Sequence, residues 1–259
     1  MSVGSGKDIR KMTEKKCAVL SRDAIKYIAV LTMLLNHIAN ILLEPGTVLF
    51  EGMVNIGYFT AFVMCSFLVD GYDYTKSKKK YAQRLLLFAA VSELPYCLAL
   101  TKDGILEFVG TNMIFTLFIC FCLIYVIKEM PDSSKKTALI IFLVLITAFG
   151  DWGLLAPLMV TLFVRGQSSE AEMKKSWCMA ILFFGILNVL ERIETVGLWA
   201  GIGYGIASMI GPALAGICIL YLYDSKKGTC GKPFSKWFFY VFYPAHLLIL
   251  GMLRICVKN

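Results

Sequence analysis

An all-α, polytopic membrane helix bundle is the fold class that this sequence predicts, and three observations predict it. Hydrophobic residues make up 58% of the 259 residues and charged residues only 17%, which leaves little polar surface for a water-soluble domain. Apolar runs of about the length that crosses a bilayer follow one another along the chain. Lysine and arginine concentrate in every second connecting segment, as in loops that stay in the cytosol. We therefore expect a multi-pass protein of the bacterial plasma membrane.

Nine transmembrane spans follow from the apolar stretches between charged or turn-forming segments. The fifth and sixth are short and meet at the sequence GDWG. The predicted spans cover residues 24–43, 52–69, 81–100, 108–127, 137–150, 152–164, 177–190, 196–223 and 237–257. Two units result: a basic tail over residues 1–22 and a single transmembrane domain over residues 23–259.

The distribution of positive charge orients these spans. Most of the 26 lysine and arginine residues fall in the N-terminal tail and in the even-numbered loops, which predicts a cytosolic N-terminus. Topology and anionic lipid headgroups account for the net charge of +8. Membrane lipid is therefore an expected partner, and nucleic acid is not.

The nine cysteines suggest neither a metal site nor a disulfide framework. Most of them lie inside predicted spans and lack the spacing of metal ligands. We interpret them as small hydrophobic side chains of a helical bundle, and we expect no bound metal.

The two histidines lie at membrane depth. His37 follows Lys26 by eleven residues, about 16 Å along a helix, and His246 follows Lys236 by ten, about 15 Å. Both imidazoles are thus expected at one level of a hydrocarbon core about 30 Å thick. A polar ring there either belongs to a functional cavity or is bonded to a carbonyl purely for packing. Pro244, which frees a backbone carbonyl beside His246, favours the cavity.

Other polar residues suggest where such a cavity lies. Glu93 precedes Pro95, which frees another carbonyl. Asn112 and Thr116 share one helix face, and this pair favours helix–helix hydrogen bonding slightly over a place in the cavity. Asp151 lies between the two short spans, so it either lines a pocket below the membrane surface or is an ordinary wetted turn residue.

A cluster of positive charge begins the third span. Lys78, Lys79 and Lys80 are typical of a topology signal beside the membrane. Arg84, one turn further in, either snorkels to the interface or holds a phosphate with its planar guanidinium.

Several segments in order resemble the TraX family of membrane acetyltransferases, which is related to the type 3 acyltransferase superfamily. The resemblance covers nearly the whole chain and rests on DAIKYIAVLTMLLNHIANIL, NIGYFTAFVMCSFLVDGYDYT, KKYAQRLLLFAAVSELPY, TNMIFTLF, GDWG, YDSKKG and FFYVFYPAHLLIL. A basic residue eleven positions before a histidine is a hallmark of the superfamily. Two departures stand out, since relatives usually have Asp-His where this chain has Asn36-His37, and Gly-Arg where it has Gly57-Tyr58.

The resemblance implies that residues 23–259 are an acyltransferase-like domain that moves an acetyl group from cytosolic acetyl-CoA, a co-substrate, to an amine or hydroxyl. His37 would be the general base, and His246 would orient the acceptor or stabilise the oxyanion. Asn112 would donate to the tetrahedral intermediate. Because Asn36 cannot supply a charge, either Asp151, Glu93 or Asp70 would assist His37, or the histidine would work with less help. The phosphates of coenzyme A would contact positive side chains at the cytosolic mouth, namely Lys26, Arg84, Lys78, Lys79 and Lys80.

A second class of function uses the same histidines. A transporter or flippase for a small polar or lipid-linked molecule could employ them as a proton relay. The sequence identifies neither the acceptor, which could be a peptide, glycan or lipid, nor the oligomeric state.

Overall fold

The protein is a bundle of α-helices. A computed structural model describes residues 19–102, 104–224 and 232–258, and within them there is no β-strand, only isolated bridges between Leu20 and Tyr223 and between Thr111 and Gly150. The predicted all-α fold class is confirmed. The predicted basic tail up to residue 18 and the lysines at 226 and 227 lie outside the described residues.

The helices are numbered here in chain order. They are α1 (Arg22–Leu42), α2 (Val48–Gly57), α3 (Phe59–Tyr74), α4 (Lys78–Leu100), α5 (Met113–Glu129), α6 (Ser134–Thr147), α7 (Leu155–Gly166), α8 (Glu170–Val196), α9 (Leu198–Ser208), α10 (Ile210–Ile217) and α11 (Lys232–Lys258), with a π-helical turn at Cys218–Leu222 after α10.

Six stretches of the described chain are long and apolar enough to cross a membrane. They are Arg22–Leu42, Val48–Tyr74, Lys78–Leu100, Glu170–Val196, Leu198–Leu222 and Trp237–Val257. They confirm the prediction of a multi-pass membrane protein. Helices α5, α6 and α7, with 17, 14 and 12 residues, occupy the predicted fourth, fifth and sixth spans and are shorter than the six long stretches. The count of nine and the side of the N-terminus stay predictions.

Local chemistry moves some helix boundaries away from the predicted spans. The fourth span was expected from Phe108, yet α5 begins at Met113, because the Asn112 side chain caps its first turn and Gly110 has a φ of 110°. The predicted eighth span is interrupted at Met209. Pro212 lacks the N–H that would bond the carbonyl four residues earlier, which explains an interruption there.

Helices α1, α4 and α11 run side by side in the same direction. Near their N-termini, the ring of Tyr27 lies 5.2 Å from that of Phe239. Near their C-termini, Gly251 packs so closely against Leu98 that an added Cβ would lie 3.0 Å from its Cγ. Because the three helices run in the same direction, residues at the same depth on each helix lie in the same region of the bundle.

Candidate functional site

A cavity of about 1090 Å³ runs along α1, α4 and α11 and is closed on its other side mainly by α3 and the Asp151 turn. One end, called the Lys26 end, is formed by Arg22, Lys26, Tyr81 and Arg84. The opposite end, called the Arg254 end, is formed by Thr101, Lys102, Glu107 and Arg254. Along the helix axes, the two ends lie about 28 Å apart, close to the thickness of a hydrocarbon core. The cavity thus reaches toward both ends of the bundle.

The two histidines meet at the middle of this cavity. Nδ1 of His37 lies 2.7 Å from Nε2 of His246, and the ring centroids are 4.9 Å apart. Both side chains are buried, with 7% of His37 and 5% of His246 exposed. His37 lines the cavity, while His246 lies behind it. The equal depth predicted from their spacing to Lys26 and Lys236 therefore corresponds to direct contact.

The hydrogen-bond partners decide which ring nitrogens carry protons. Nδ1 of His246 lies 2.7 Å from the carbonyl oxygen of Phe242, which can only accept, so this nitrogen is the donor. Nε2 of His246 then carries a lone pair and accepts from Nδ1–H of His37. Nε2 of His37 is left with its own lone pair, and no described residue donates to it. A chain of two hydrogen bonds therefore orients His37 as a base.

Aromatic and acidic side chains complete the wall around His37. The edge of Tyr243 lies against its ring, with centroids 6.2 Å apart, and the Tyr243 hydroxyl accepts a hydrogen bond from the backbone N–H of Met113. Tyr96 and Asp151 line the same cavity. Most of the cavity lining is apolar, which would limit the water around a reaction at His37.

Asp151 lines the cavity, which corresponds to the first of the two alternatives predicted for it. Its turn is docked on the start of α5, because the Asp151 N–H donates to the carbonyl of Thr111 and Thr116 Oγ1 donates to the carbonyl of Asp151 at 2.8 Å. Gly150 has to be glycine here, since an added Cβ would lie 2.4 Å from Thr116 Oγ1. Trp152 has a φ of 58°, a strained conformation held by stacking on neighbouring aromatic rings.

Asn112 lies beside the cavity wall and is committed to local structure. Its Oδ1 accepts from two N–H groups of the first turn of α5, and its Nδ2 donates to the carbonyl of Ala89 and to Glu93 Oε2. With these bonds no donor of Asn112 faces the His37 region. The structure therefore does not bring Asn112 together with the other predicted catalytic residues.

The predicted coenzyme-binding residues separate into two groups. Lys26 and Arg84 line the cavity, with Lys26 Nζ 5.1 Å from the centroid of the Phe239 ring. Lys78 instead pairs with Glu129 and lies over a tyrosine ring outside the cavity. Lys79 and Lys80 are exposed on the first turn of α4.

Three arginines of the cavity wall carry an unpaired donor. Seven buried side-chain nitrogen or oxygen atoms of the described residues have no hydrogen-bond partner, and among them are the Nε atoms of Arg22, Arg84 and Arg254. An unsatisfied buried donor costs roughly 1–3 kcal/mol, more on a charged group, so each favours an anion nearby. In the sequence, Arg22 belongs to the predicted basic tail, and no role is predicted for Arg254. The only sequence feature that pointed to Arg22 and Arg254 was a positive charge at the edge of an apolar run.

The described part of the chain contains no set of side chains that could ligate a metal ion. No three His, Cys, Asp or Glu side chains there are grouped so that they could hold a metal ion.

Comparison with known proteins gives two matches. A family model described as "TraX protein" matches residues 21–254. A probable fimbrial assembly protein, FimC of serogroup H1 from Dichelobacter nodosus, is 28% identical over 236 residues, which cover 87% of this chain and 92% of the relative. No solved structure matches.

These descriptions correct the function that we predicted. One names the TraX protein and the other a fimbrial assembly protein, and neither names transfer from acetyl-CoA. The prediction of an acetyl-CoA-dependent acetyltransferase is therefore wrong, and the descriptions give no support to the transporter alternative. The bacterial relative, with the six apolar stretches, confirms a multi-pass bacterial membrane protein.

Proposed function

Because the chain belongs to the TraX family and has a fimbrial assembly protein among its relatives, we propose that it is a membrane enzyme that covalently modifies a polypeptide subunit of a pilus or fimbria. The fimbrial relative supports a polypeptide subunit as the class of substrate. The cavity supplies the chemistry, since it holds a histidine base in a largely apolar interior.

The observation that carries the proposal is the chain of hydrogen bonds from the Phe242 carbonyl through His246 to His37. It presents Nε2 of His37 as a proton acceptor of fixed orientation, which is how a general base is held ready. An N–H or O–H of the polypeptide would give its proton to this nitrogen while its own nitrogen or oxygen bonds to the transferred group. The bond between the transferred group and the rest of the co-substrate would break, and that departing remainder would take the proton from His37.

The Lys26 end suggests that the co-substrate is an anion. Arg22, Lys26 and Arg84 place three positive charges on this part of the wall. Asp23 pairs with Lys26 at 3.8 Å, and no carboxylate pairs with either arginine within the described residues. Arginine Nε groups without acceptors are well suited to phosphate or carboxylate oxygens. An anionic co-substrate could enter here while the polypeptide reaches His37 from the Arg254 end.

The resemblance to the type 3 acyltransferase superfamily supports the proposal in one respect. A membrane-embedded histidine would act as base for group transfer, as the resemblance suggested. The proposal assigns no particular group to be transferred.

The test is the mass of the subunit that is modified. In the native host, the chromosomal gene is deleted and replaced by the wild-type gene, by His37→Ala, or by Leu31→Ala, whose side chain is on α1 but exposed and away from the cavity. Surface pilus and fimbrial subunits are then analysed by intact and tandem mass spectrometry, at matched amounts of membrane protein.

We expect one subunit to gain a defined mass with the wild-type gene and with Leu31→Ala, and to lose it with the deletion and with His37→Ala. The mass difference also identifies the transferred group. Identical subunit masses in the wild-type and deletion strains would contradict the proposal.

A further inference from the structure

Arg254 is an almost fully buried cation in the wall of the cavity. Only 4% of its surface is exposed, and it lies two helical turns beyond His246 on α11. Its Nη1 donates to the carbonyls of Thr101 and Gly104, and its Nη2 donates to that of Ile105 at 2.9 Å. These bonds hold the segment that follows α4 against the end of the cavity.

The described residues give Arg254 no paired carboxylate, although Glu107 lines the same end of the cavity. Its Nε–H also has no acceptor in residues 19–102, 104–224 and 232–258. Backbone carbonyls are dipoles, and they compensate a buried positive charge only in part. Nε and one Nη form the edge of a guanidinium that matches the two oxygens of a carboxylate. The missing partner therefore has the chemistry of an anion, and a carboxylate fits this edge best.

The segment held by Arg254 exposes apolar side chains on both sides of the exposed Glu107. Ile105, Leu106 and Phe108 are 69%, 50% and 72% exposed. These exposed side chains belong to the segment whose carbonyls Arg254 holds. An acidic side chain flanked by apolar residues would satisfy both features of this surface.

We propose that the Arg254 end is a binding subsite for an acidic side chain within an apolar stretch of the polypeptide substrate. This inference rests on the proposed function, which supplies the polypeptide. Eight residues of helix separate Arg254 from His246, about 12 Å. An extended peptide advances about 3.3–3.6 Å per residue, so the acidic residue lies about three or four positions from the modified atom.

The subsite can be tested by peptide binding, without turnover. The full chain is reconstituted in phosphatidylcholine nanodiscs, and two fluorescent ten-residue peptides of leucine and alanine are titrated, one with a central glutamate and one with glutamine. A charge-assisted pair in a buried site should make the glutamate peptide bind roughly tenfold tighter or more. Equal affinities of the two peptides for the wild-type protein would overturn the proposal, and this comparison needs no variant to fold.

Two variants locate the effect. Arg254→Gln should abolish the preference for glutamate, whereas Arg192→Gln should keep it, because Arg192 is an arginine outside the cavity wall that pairs with Glu51 at 2.8 Å. A preference that survives in folded Arg254→Gln would overturn the proposal.

Phosphate from a lipid headgroup is the other source of an anion. Adding phosphatidylglycerol to the nanodiscs should leave the preference for glutamate unchanged. Its loss would show that lipid phosphate occupies Arg254, which overturns the proposal for a polypeptide carboxylate. If the peptides bind equally while subunit modification still requires His37, the subsite fails and the proposed function stands.

Discussion

Replacing His246 tests how the catalytic base is oriented. In His246→Leu the Nδ1–H of His37 loses its acceptor, which in the native protein lies 2.7 Å away. Leaving a buried donor unsatisfied costs roughly 1–3 kcal/mol, and the ring can turn to find another partner. Because 1.4 kcal/mol corresponds to about a factor of ten, we expect a loss of about 5- to 150-fold in the rate of subunit modification. The His246 ring is not itself the base, so the loss should be smaller than in His37→Ala.

Two further variants separate orientation from bulk. His246→Gln can place an amide oxygen near the former Nε2 and accept from His37, so it should retain more of the rate than His246→Leu. The double variant His37→Ala with His246→Leu should be no slower than His37→Ala alone, because both residues act on one proton transfer. The assay is the initial rate at which modified subunit appears after induction, measured by mass spectrometry and normalised to membrane protein.

An unchanged rate in His246→Leu would refute this reasoning. So would additive losses in the double variant, because independent losses mean that His246 does not act through His37. Reduced amounts of folded protein are separated from these effects by size-exclusion profiles in detergent.

Three other predictions follow from the packing, the charges and the topology. Gly57→Ala should lower the free energy of unfolding by roughly 1–3 kcal/mol, because the new Cβ would lie 2.3 Å from Cβ of Asn36. Gly52→Ala, with open space around the new Cβ, should not lower it. Thermal unfolding in detergent compares the two variants. Arg84→Gln should weaken binding of pyrophosphate several-fold or more in calorimetry and Lys79→Gln should not, and equal effects would move the anion site. Reporters fused to the two chain termini should report opposite sides of the membrane, since nine spans is an odd number, and a common side would remove one predicted span.

The depth of the histidines was the most productive sequence observation. Spacing along two separate helices predicted that His37 and His246 lie at one level, and the structure joins them by a hydrogen bond. Depth could not reveal the contact, because helix neighbours are decided by packing over more than two hundred intervening residues. It also could not reveal that His246 orients His37, since that follows from the Phe242 carbonyl.

Polar residues at helix ends were the hardest to interpret. Asn112 looked like an oxyanion donor, yet its side chain caps α5 and binds Glu93. An asparagine that caps a helix and one that is free to bind a substrate look the same in the sequence. Charge near a membrane is similarly ambiguous. Lys78 and Arg84 lie only six residues apart, but only Arg84 is far enough into α4 to reach the cavity.

The proton positions on the two rings are the most direct test of the site. The chain contains two histidines, so ¹⁵N-histidine labelling gives four ring nitrogens to assign by solid-state NMR in bilayers. We predict that both rings carry the proton on Nδ1, and that Nδ1 of His37 is coupled through its hydrogen bond to Nε2 of His246. A proton on Nε2 of His37, or the absence of that coupling, would contradict the account, because His37 would then have no lone pair to offer a substrate.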